Sequence, residues 1–307
     1  MARRSTHGLK ARLRQAVDGT AGYSMIGVLK MVRCFDRRLT ANAAGKFLRA
    51  VGPWLPEHRV GMENLAAAFP EKSPEERARI LQGVWDNLGR FAAEFAHLDR
   101  IKVRDSAAGQ IGDIDYDEAS LERFHRLRLD GKPALVFAAH LANWELCASV
   151  AASYQLDTTV LYRRPNLAAV ADAVIKVRAG SMGHLVPTGL DAPIKLMRAL
   201  EAGSHVAMLV DQYNVQGVDV TFFGRRTKAN PMLARLARHI ECPIHGVRVI
   251  RLPNHRFRGE ITEEIAPARD AAGRVDVQGT MQIITDTVEQ WVREYPEQWL
   301  WVHRRWR

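Results

Sequence analysis

The sequence predicts an α/β fold with a mixed, mostly parallel central sheet flanked by helices, preceded by a helical N-terminal arm. From position 132 onward, short apolar runs alternate with segments of helical periodicity, which is the pattern of parallel strands joined by helices. The chain has 307 residues, of which 47% are hydrophobic, so it is long enough to bury a full core. The arm is distinguished by its charge.

Positive charge is concentrated in residues 1–60, which hold twelve Lys or Arg against three acidic residues, or +9 of the net +10. Lys30, Arg33 and Arg37 recur there at helical spacing, beside an apolar face. That face comprises Met25, Ile26, Val28, Leu29, Val32, Phe35 and Leu39. A basic amphipathic helix of this kind lies in a membrane interface, and its apolar run is too short to span a bilayer.

We therefore predict a membrane-associating region over 1–60, peripherally attached to an anionic surface, and a main domain over 61–307. A surface helix packed on the body is the alternative reading of the same pattern. The basic arm also fits nucleic acid, but the chain carries no recognisable nucleic-acid-reading motif, so nucleic acid is not an expected partner.

Three scattered cysteines, Cys34, Cys147 and Cys242, indicate neither a disulfide framework nor a metal cluster, and favour a reducing compartment. Cys147 follows His140 by seven residues. We interpret it as a small buried thiol, because no electropositive setting around it is visible in the sequence.

Local signals fix several helix and strand boundaries. Ser73, Pro74 and Glu76 form the start of a helix with a capping box. Further helices are predicted at 118–129, 143–153, 166–180, 191–202, 230–240 and 277–294. Strands are predicted at 134–139, 158–163, 205–210, 218–223, 243–252 and 256–265, the last two as an antiparallel pair. Residues 101–118 are expected to form a polar loop.

The most informative segment is the apolar strand 134–139, which runs directly into His140, with Glu145 five positions later. The carboxyl ends of strands in open α/β sheets are where chemistry is usually placed. With Asn143 as the N-cap of the next helix, Glu145 would lie in its first turn and hold one imidazole nitrogen. The other nitrogen would then take a proton as a general base.

Two further strand ends carry polar side chains. Strand 158–163 leads into Arg163 and Arg164, and arginine suits a phosphate or carboxylate by bidentate contact. Strand 205–210 leads into Asp211 and Gln212. Because the carboxyl ends of parallel strands meet at one edge of a sheet, these groups are expected to meet near His140.

Six short blocks in a fixed order resemble the late acyltransferases of lipid A biosynthesis, within the glycerolipid-acyltransferase-like superfamily. The blocks are Asn64-Leu to Phe69-Pro70-Glu71 with Ser73-Pro74-Glu75-Glu76-Arg77, His140-x4-Glu145, Tyr162-Arg163-x-Pro165-Asn166, Asp211-Gln212, Phe222-Phe223-Gly224, and Pro296-Glu297-Gln298-Trp299-x-Trp301-x-His303-Arg304-Arg305-Trp306. Together they span about residues 60–306.

The resemblance implies transfer of a fatty acyl chain from acyl carrier protein to a hydroxyl of a phosphorylated lipid A precursor. His140 would be the general base and Glu145 would fix its tautomer. Arg163 or Arg164 would bind a sugar phosphate, and Asp211 would support the site or the acceptor. No cofactor or metal is expected, and the enzyme would act at the cytoplasmic face of the inner membrane.

Two alternatives remain open at the level of sequence. One is an acyltransferase acting on another membrane lipid, a glycerol phosphate or an aminolipid. That branch usually carries an acidic-Gly-Thr-Arg block after its histidine motif, and the corresponding region here reads Pro187-Thr-Gly-Leu. The other is a non-catalytic lipid-binding homologue that keeps the fold.

Overall fold

A computed structural model of the chain describes residues 19–20, 22–103, 112–165 and 168–307, with the side chains of 168 and 169 excepted. Positions 1–18 of the predicted arm, and Asn166 of the predicted arginine block, lie outside the described residues.

The N-terminal part is helical, as predicted for the arm. Its helices are α1 (22–32), α2 (Arg37–Val51), α3 (Pro56–Ala68) and α4 (Pro74–Phe95). Ser73 caps α4 through the amide of Glu76, and the Glu76 side chain returns a bond to the Ser73 amide, which confirms the predicted capping box. Every helix in the described ranges is too short or too polar to cross a membrane.

A seven-stranded mixed sheet forms the centre of the molecule. Its strands are β1 (Ile114–Tyr116), β2 (Leu135–Ala138), β3 (Thr158–Tyr162), β4 (His184–Pro187), β5 (His205–Leu209), β8 (Ile244–Arg251) and β9 (Phe257–Ile261), in the order β1-β9-β8-β2-β5-β3-β4. All neighbours are parallel except β8 and β9, so the predicted mostly parallel sheet and its antiparallel pair are confirmed. The strands β6 (Val218–Phe222) and β7 (Arg225–Ala229) form a separate antiparallel hairpin.

The remaining helices connect and cover the sheet. They are α5 (Glu118–Leu129), α6 (Glu145–Ser153), α7 (Ala168–Ala179), α8 (Ala192–Glu201), α9 (Met232–His239) and α10 (Val277–Glu294). Each predicted helix is found within a few residues of its predicted bounds. The strands β1, β4 and β7 were not predicted. The first two are short and mostly half-buried or exposed, unlike the equally short but fully buried β2, and β7 carries three cationic side chains.

The two faces of the sheet are used differently. Along β2, Leu135 and Phe137 belong to the main apolar core, whereas Val136 and Ala138 lie outside it and line a cavity, to which Phe137 also contributes. Because successive strand residues point to opposite faces, the core and the cavity lie on opposite sides of this strand. The core contains residues of α8, α9 and α10, while residues of α5, α6 and α7 contribute to the cavity wall.

The arm is tied to the body by helix packing and by ion pairs, of which those of Arg33 and Arg37 are the shortest. The helix α2 crosses α4 closely enough that a Cβ on Gly89 would lie 2.2 Å from the carbonyl oxygen of Ala44. Arg33 pairs with Asp99 at 2.8 Å, and the buried Arg37 pairs with Asp113 at 2.5 Å.

These pairs correct the expectation that Arg33 and Arg37 present a basic face to an anionic surface. Their carboxylate partners come from the body, some 60 or more residues away in the sequence. No local pattern in the arm predicts these partners. Lys30, in contrast, is exposed as predicted. The division of the chain at residue 60 stays a prediction.

The close crossing of α2 and α4 makes Gly89 sensitive to any side chain. We expect Gly89→Ala to lower the free energy of unfolding by about 2 kcal/mol or more, because the methyl group meets a helix backbone that cannot yield cheaply. Gly27 in α1 has no neighbouring atom within 4 Å of an added Cβ, so Gly27→Ala serves as the control. It should be neutral, or stabilising by up to about 1 kcal/mol through helix propensity. Denaturant unfolding of both variants measures the difference, and equal effects would contradict the close crossing.

Candidate functional site

The strands β2 and β5 end side by side, and each delivers a polar group just beyond its last residue. Ala138 and Leu209 are paired in register, which brings His140 and Asp211 together at the same edge of the sheet. The Nδ1 atom of His140 lies 2.7 Å from Oδ1 of Asp211, and the backbone N–H of His140 donates to Oδ2 at 2.9 Å. The predicted meeting of strand ends is therefore found for this pair.

Asp211 is a buried carboxylate, with a side chain that is only 2% exposed. Burial alone would raise the pKa of Asp211, but the charge of His140 and hydrogen bonds from His140 and Trp299 outweigh it and lower the pKa to about 2. Asp211 is thus ionised at neutral pH. An ionised carboxylate only accepts hydrogen bonds, so the 2.7 Å contact places a proton on Nδ1.

The second imidazole nitrogen is then left to accept a proton. The amide nitrogen of Gln212 lies 3.3 Å from Nε2 of His140, and an amide NH2 group only donates. The two contacts agree on one tautomer, with the proton on Nδ1 and the lone pair on Nε2. This is the tautomer that a general base needs.

Glu145 does not hold His140, contrary to the prediction from the motif. Its carboxylate accepts two hydrogen bonds from Arg178, at 2.9 and 2.5 Å, and one from the indole N–H of Trp144 at 3.1 Å. Asp211 takes the place that the motif suggested for Glu145. The reason is the helix start, because α6 begins at Glu145 itself and carries this side chain toward α7.

Asn143 also departs from its predicted role. It makes no N-cap hydrogen bond, and its side chain instead donates to Glu94 at 3.0 Å. Glu94 has no exposed side-chain surface and forms an ion pair with Arg251 of β8. The loop after His140 is thereby anchored to α4 and to the sheet through a buried polar network.

The backbone of this loop is held by Asn87, which the sequence did not point to, and by Gln298 and Trp299 of the C-terminal block, to which the sequence assigned no role in the site. Ala142 adopts a φ of 47°, which a residue with a side chain rarely adopts. Its N–H donates to the carbonyl of Gln298 at 2.9 Å, and its carbonyl accepts from Asn87 at 3.3 Å. Leu141 pairs with Trp299 in an isolated antiparallel bridge. The C-terminal segment therefore helps to shape the loop that carries His140.

A large cavity of about 720 Å³ opens beside His140. Its wall is mostly apolar and includes sheet residues Val136, Val160 and Ala207 together with Ala148 and Val174 of the covering helices. Polar lining groups include His140, Gln212, His303, Arg163, Glu145 and Arg178. A mostly apolar cavity with a few polar groups is suited to a ligand that has a hydrocarbon part and a reactive polar end.

The two predicted arginines differ in their surroundings. Arg163 is exposed and lines the cavity, whereas Arg164 pairs with Asp172 at 3.1 Å. Arg163 is therefore the one of the two that contributes to the cavity wall.

Cys147 is half-buried and lines the cavity as well, and burial raises the pKa of its thiol to about 12, which agrees with the reading of an inert thiol. In the part of the chain that the structure covers, no group of three or more His, Cys, Asp or Glu side chains is arranged to hold a metal ion.

Comparison with known proteins places this chain in a family. The model of a family described as bacterial lipid A biosynthesis acyltransferase matches residues 8–307. A comparison with individually curated proteins gives no match. Because the match extends over nearly the whole chain and includes both strand ends that form the site, this protein belongs to the bacterial lipid A biosynthesis acyltransferase family.

Proposed function

We propose that the protein transfers a fatty acyl chain from the thioester of acyl carrier protein to a hydroxyl of a phosphorylated lipid A precursor. The family supports acyl transfer in lipid A biosynthesis. The observation that carries the finer proposal is the His140–Asp211 pair beside a 720 Å³ apolar cavity. A base next to a space for hydrocarbon is what transfer of a fatty acyl group to a hydroxyl requires.

In the proposed reaction, Nε2 of His140 takes the proton of the acceptor hydroxyl as its oxygen attacks the thioester carbonyl. Asp211 stabilises the imidazolium that results. The tetrahedral intermediate then collapses by breaking the carbon–sulfur bond, and the imidazolium returns its proton to the departing thiolate. The products are an ester and a free thiol, and no covalent enzyme intermediate forms.

Glu145 acquires a different role in this proposal from the one its motif suggested. It holds Arg178 in the cavity wall through two hydrogen bonds. A guanidinium fixed in a site of low polarity stabilises negative charge that develops on the thioester oxygen. Glu145 would therefore act through Arg178, while Asp211 acts through His140.

The acyl chain would occupy the apolar part of the cavity. Each buried methylene group contributes about 0.8 kcal/mol on transfer from water, so the cavity favours a long chain. The acceptor would approach from the edge of the sheet, where Arg163 leaves β3 and lines the same cavity. A guanidinium there is suited to a phosphate of the sugar by bidentate contact.

Attachment to the membrane is proposed for the arm. Nine of the thirteen exposed large apolar side chains among the described residues lie between positions 23 and 55. They are Tyr23, Met25, Val28, Met31, Phe35, Leu39, Phe47, Trp54 and Leu55. Apolar and cationic side chains side by side favour peripheral binding to anionic lipid, which we place at the cytoplasmic face of the inner membrane.

The function is tested with purified protein, a long-chain acyl carrier protein and a tetra-acylated, bis-phosphorylated lipid A precursor. Mass spectrometry should show an acceptor heavier by one acyl group and a stoichiometric amount of free carrier thiol. A glycerol phosphate lipid offered as a competing acceptor should remain unmodified. Acylation of that lipid alone, or of neither acceptor, would contradict the proposal.

The roles of the two carboxylates are separable by the pH dependence of kcat. We expect His140→Ala to lower kcat by roughly 10²- to 10⁴-fold, because the hydroxyl loses its base. Asp211→Asn should lower kcat by a similar order and shift the acid limb of the pH–rate profile to lower pH, since the anion that stabilises the imidazolium is lost. Glu145→Gln should reduce kcat without moving that limb. An acid limb that moves with Glu145→Gln and not with Asp211→Asn would instead support the prediction from the sequence, in which Glu145 holds the imidazole of His140.

Arg163 is expected to bind a phosphate of the acceptor. Arg163→Ala should raise KM for the bis-phosphorylated acceptor about tenfold or more, because a charge-assisted bond is lost, and leave KM for the acyl donor unchanged. Arg164→Ala is the matched control and should have little effect, since Arg164 is engaged by Asp172. An acceptor lacking the contacted phosphate should no longer distinguish Arg163→Ala from wild type. A change confined to the KM of the donor would assign Arg163 to the donor site instead.

Membrane binding should depend on exposed apolar residues of the arm. We expect Phe47→Ser combined with Trp54→Ser to weaken binding to anionic vesicles roughly tenfold or more, because both rings are exposed to solvent. Leu129→Ser, at an equally exposed position on α5, is the control and should bind as wild type does. Rising salt should weaken binding without abolishing it. Equal binding by all variants would move the membrane contact elsewhere on the molecule.

A further inference from the structure

One side chain of the C-terminal tail, residues 296–307, hydrogen-bonds directly to Asp211. The indole N–H of Trp299 donates to Oδ2 of Asp211 at 2.8 Å, and both side chains are buried. Oδ2 is the same oxygen that accepts the backbone N–H of His140, while Oδ1 contacts Nδ1 of its ring. The carboxylate is thus held by two donors from the histidine and one from the tail.

The same tail segment also holds the loop that carries His140. Trp299 pairs with Leu141, and the carbonyl of Gln298 accepts from Ala142. The ring of Trp299 packs against Phe222 and Trp301, with ring centroids 5.5 and 4.7 Å away. Both halves of the His140–Asp211 pair are therefore positioned from one place in the chain.

We infer that Trp299 is a positioning residue for the acyl transfer, which orients Asp211 and through it the imidazole of His140. This inference rests on the proposed function. Without the indole N–H, the carboxylate keeps only the two donors of His140 and loses the one that anchors Oδ2 to the tail. The Asp211–His140 pair can then shift as a unit, and the imidazole is presented to the acceptor hydroxyl in the productive orientation for less of the time.

The hydrogen bond from Trp299 also affects the pKa of Asp211. The hydrogen bond from Trp299 is one of the contributions that lower the pKa of Asp211, so its loss raises that pKa. A more basic carboxylate holds the imidazolium more firmly, and the acid limb of the pH–rate profile should move to higher pH. Asp211→Asn should move it the other way.

The other titratable and charged side chains around the His140–Asp211 pair are the same in wild type and in Trp299→Phe. They are His303 and Arg305 of the tail, Arg163 at the end of β3, and Glu145 with Arg178 in the cavity wall. Trp299→Phe removes no charge and adds none. A shift of the limb therefore reports on the lost hydrogen bond.

Trp301 provides a matched control. It lies two residues away in the same aromatic cluster, is fully buried, and donates its indole N–H to the carbonyl of Pro296 at 2.7 Å and not to Asp211. Trp301→Phe loses similar volume and one hydrogen bond. It should lower stability as Trp299→Phe does, while leaving the pH–rate profile of the folded enzyme unchanged.

The decisive experiment compares kcat, KM and the pH–rate profile of the full-length wild-type, Trp299→Phe and Trp301→Phe proteins. We expect Trp299→Phe to lower kcat about tenfold, with KM for both substrates nearly unchanged and the acid limb at higher pH. Wild-type kcat and an unmoved limb in Trp299→Phe, or the same changes in Trp301→Phe, would overturn the inference. A benzothienylalanine at position 299, introduced by ligation of a synthetic C-terminal segment, keeps the two-ring shape without the N–H and should repeat the effect if Trp299→Phe folds poorly.

Failure of the proposed function is distinguishable from failure of this inference. A wild-type protein that transfers no acyl group would contradict the function. NMR of protein labelled with ¹⁵N-histidine then tests the inference without turnover. The resonances of His140 are identified because they are missing from the spectrum of His140→Ala. The share of His140 that carries its proton on Nδ1 should be smaller in the Trp299 variants than in wild type and Trp301→Phe. Identical behaviour in all of them would overturn the positioning role.

Discussion

The site depends on keeping one charged carboxylate out of water. A buried anion is costly unless it is paired and hydrogen-bonded, and Asp211 meets that condition with donors from His140 and Trp299. Two parallel strands and the C-terminal tail must meet at one point to supply these donors. These groups are brought together by the order of the strands in the sheet, the loop after β2 and the packing of the tail. The tautomer of His140 follows from its contact with Asp211.

Much of the fold was predictable because its signals are local. The helix over 277–294 and the capping box at Ser73 follow from periodicity and cap chemistry within a few residues. The approach of Asp211 to His140 was also foreseeable in outline, since carboxyl ends of parallel strands share an edge. The strand β4 gave no comparable signal, because its four residues are too few to establish alternation and do not form a buried apolar run like that of β2.

The sequence misled where partners come from distant segments. A histidine and a glutamate five residues apart suggest a dyad, yet Glu145 turns to Arg178 because the helix begins at that residue. Likewise Arg33 appeared to face a membrane but is neutralised by Asp99. Charge counting along the chain identifies which side chains are available for pairing, whereas the choice of partner is made by tertiary packing. The family match supports acyl transfer, and the separate roles of the two carboxylates are proposed from their different hydrogen-bond partners.

The protonation of His140 tests this account most directly. In wild-type protein near neutral pH, ¹⁵N NMR should show His140 with its proton on Nδ1, bonded to Asp211, and with Nε2 unprotonated. Asp211→Asn should release that preference, whereas Glu145→Gln should leave it intact. A proton on Nε2 in the wild-type protein, or a tautomer that changes with Glu145→Gln alone, would contradict the central claim that Asp211 prepares His140 to act as the base.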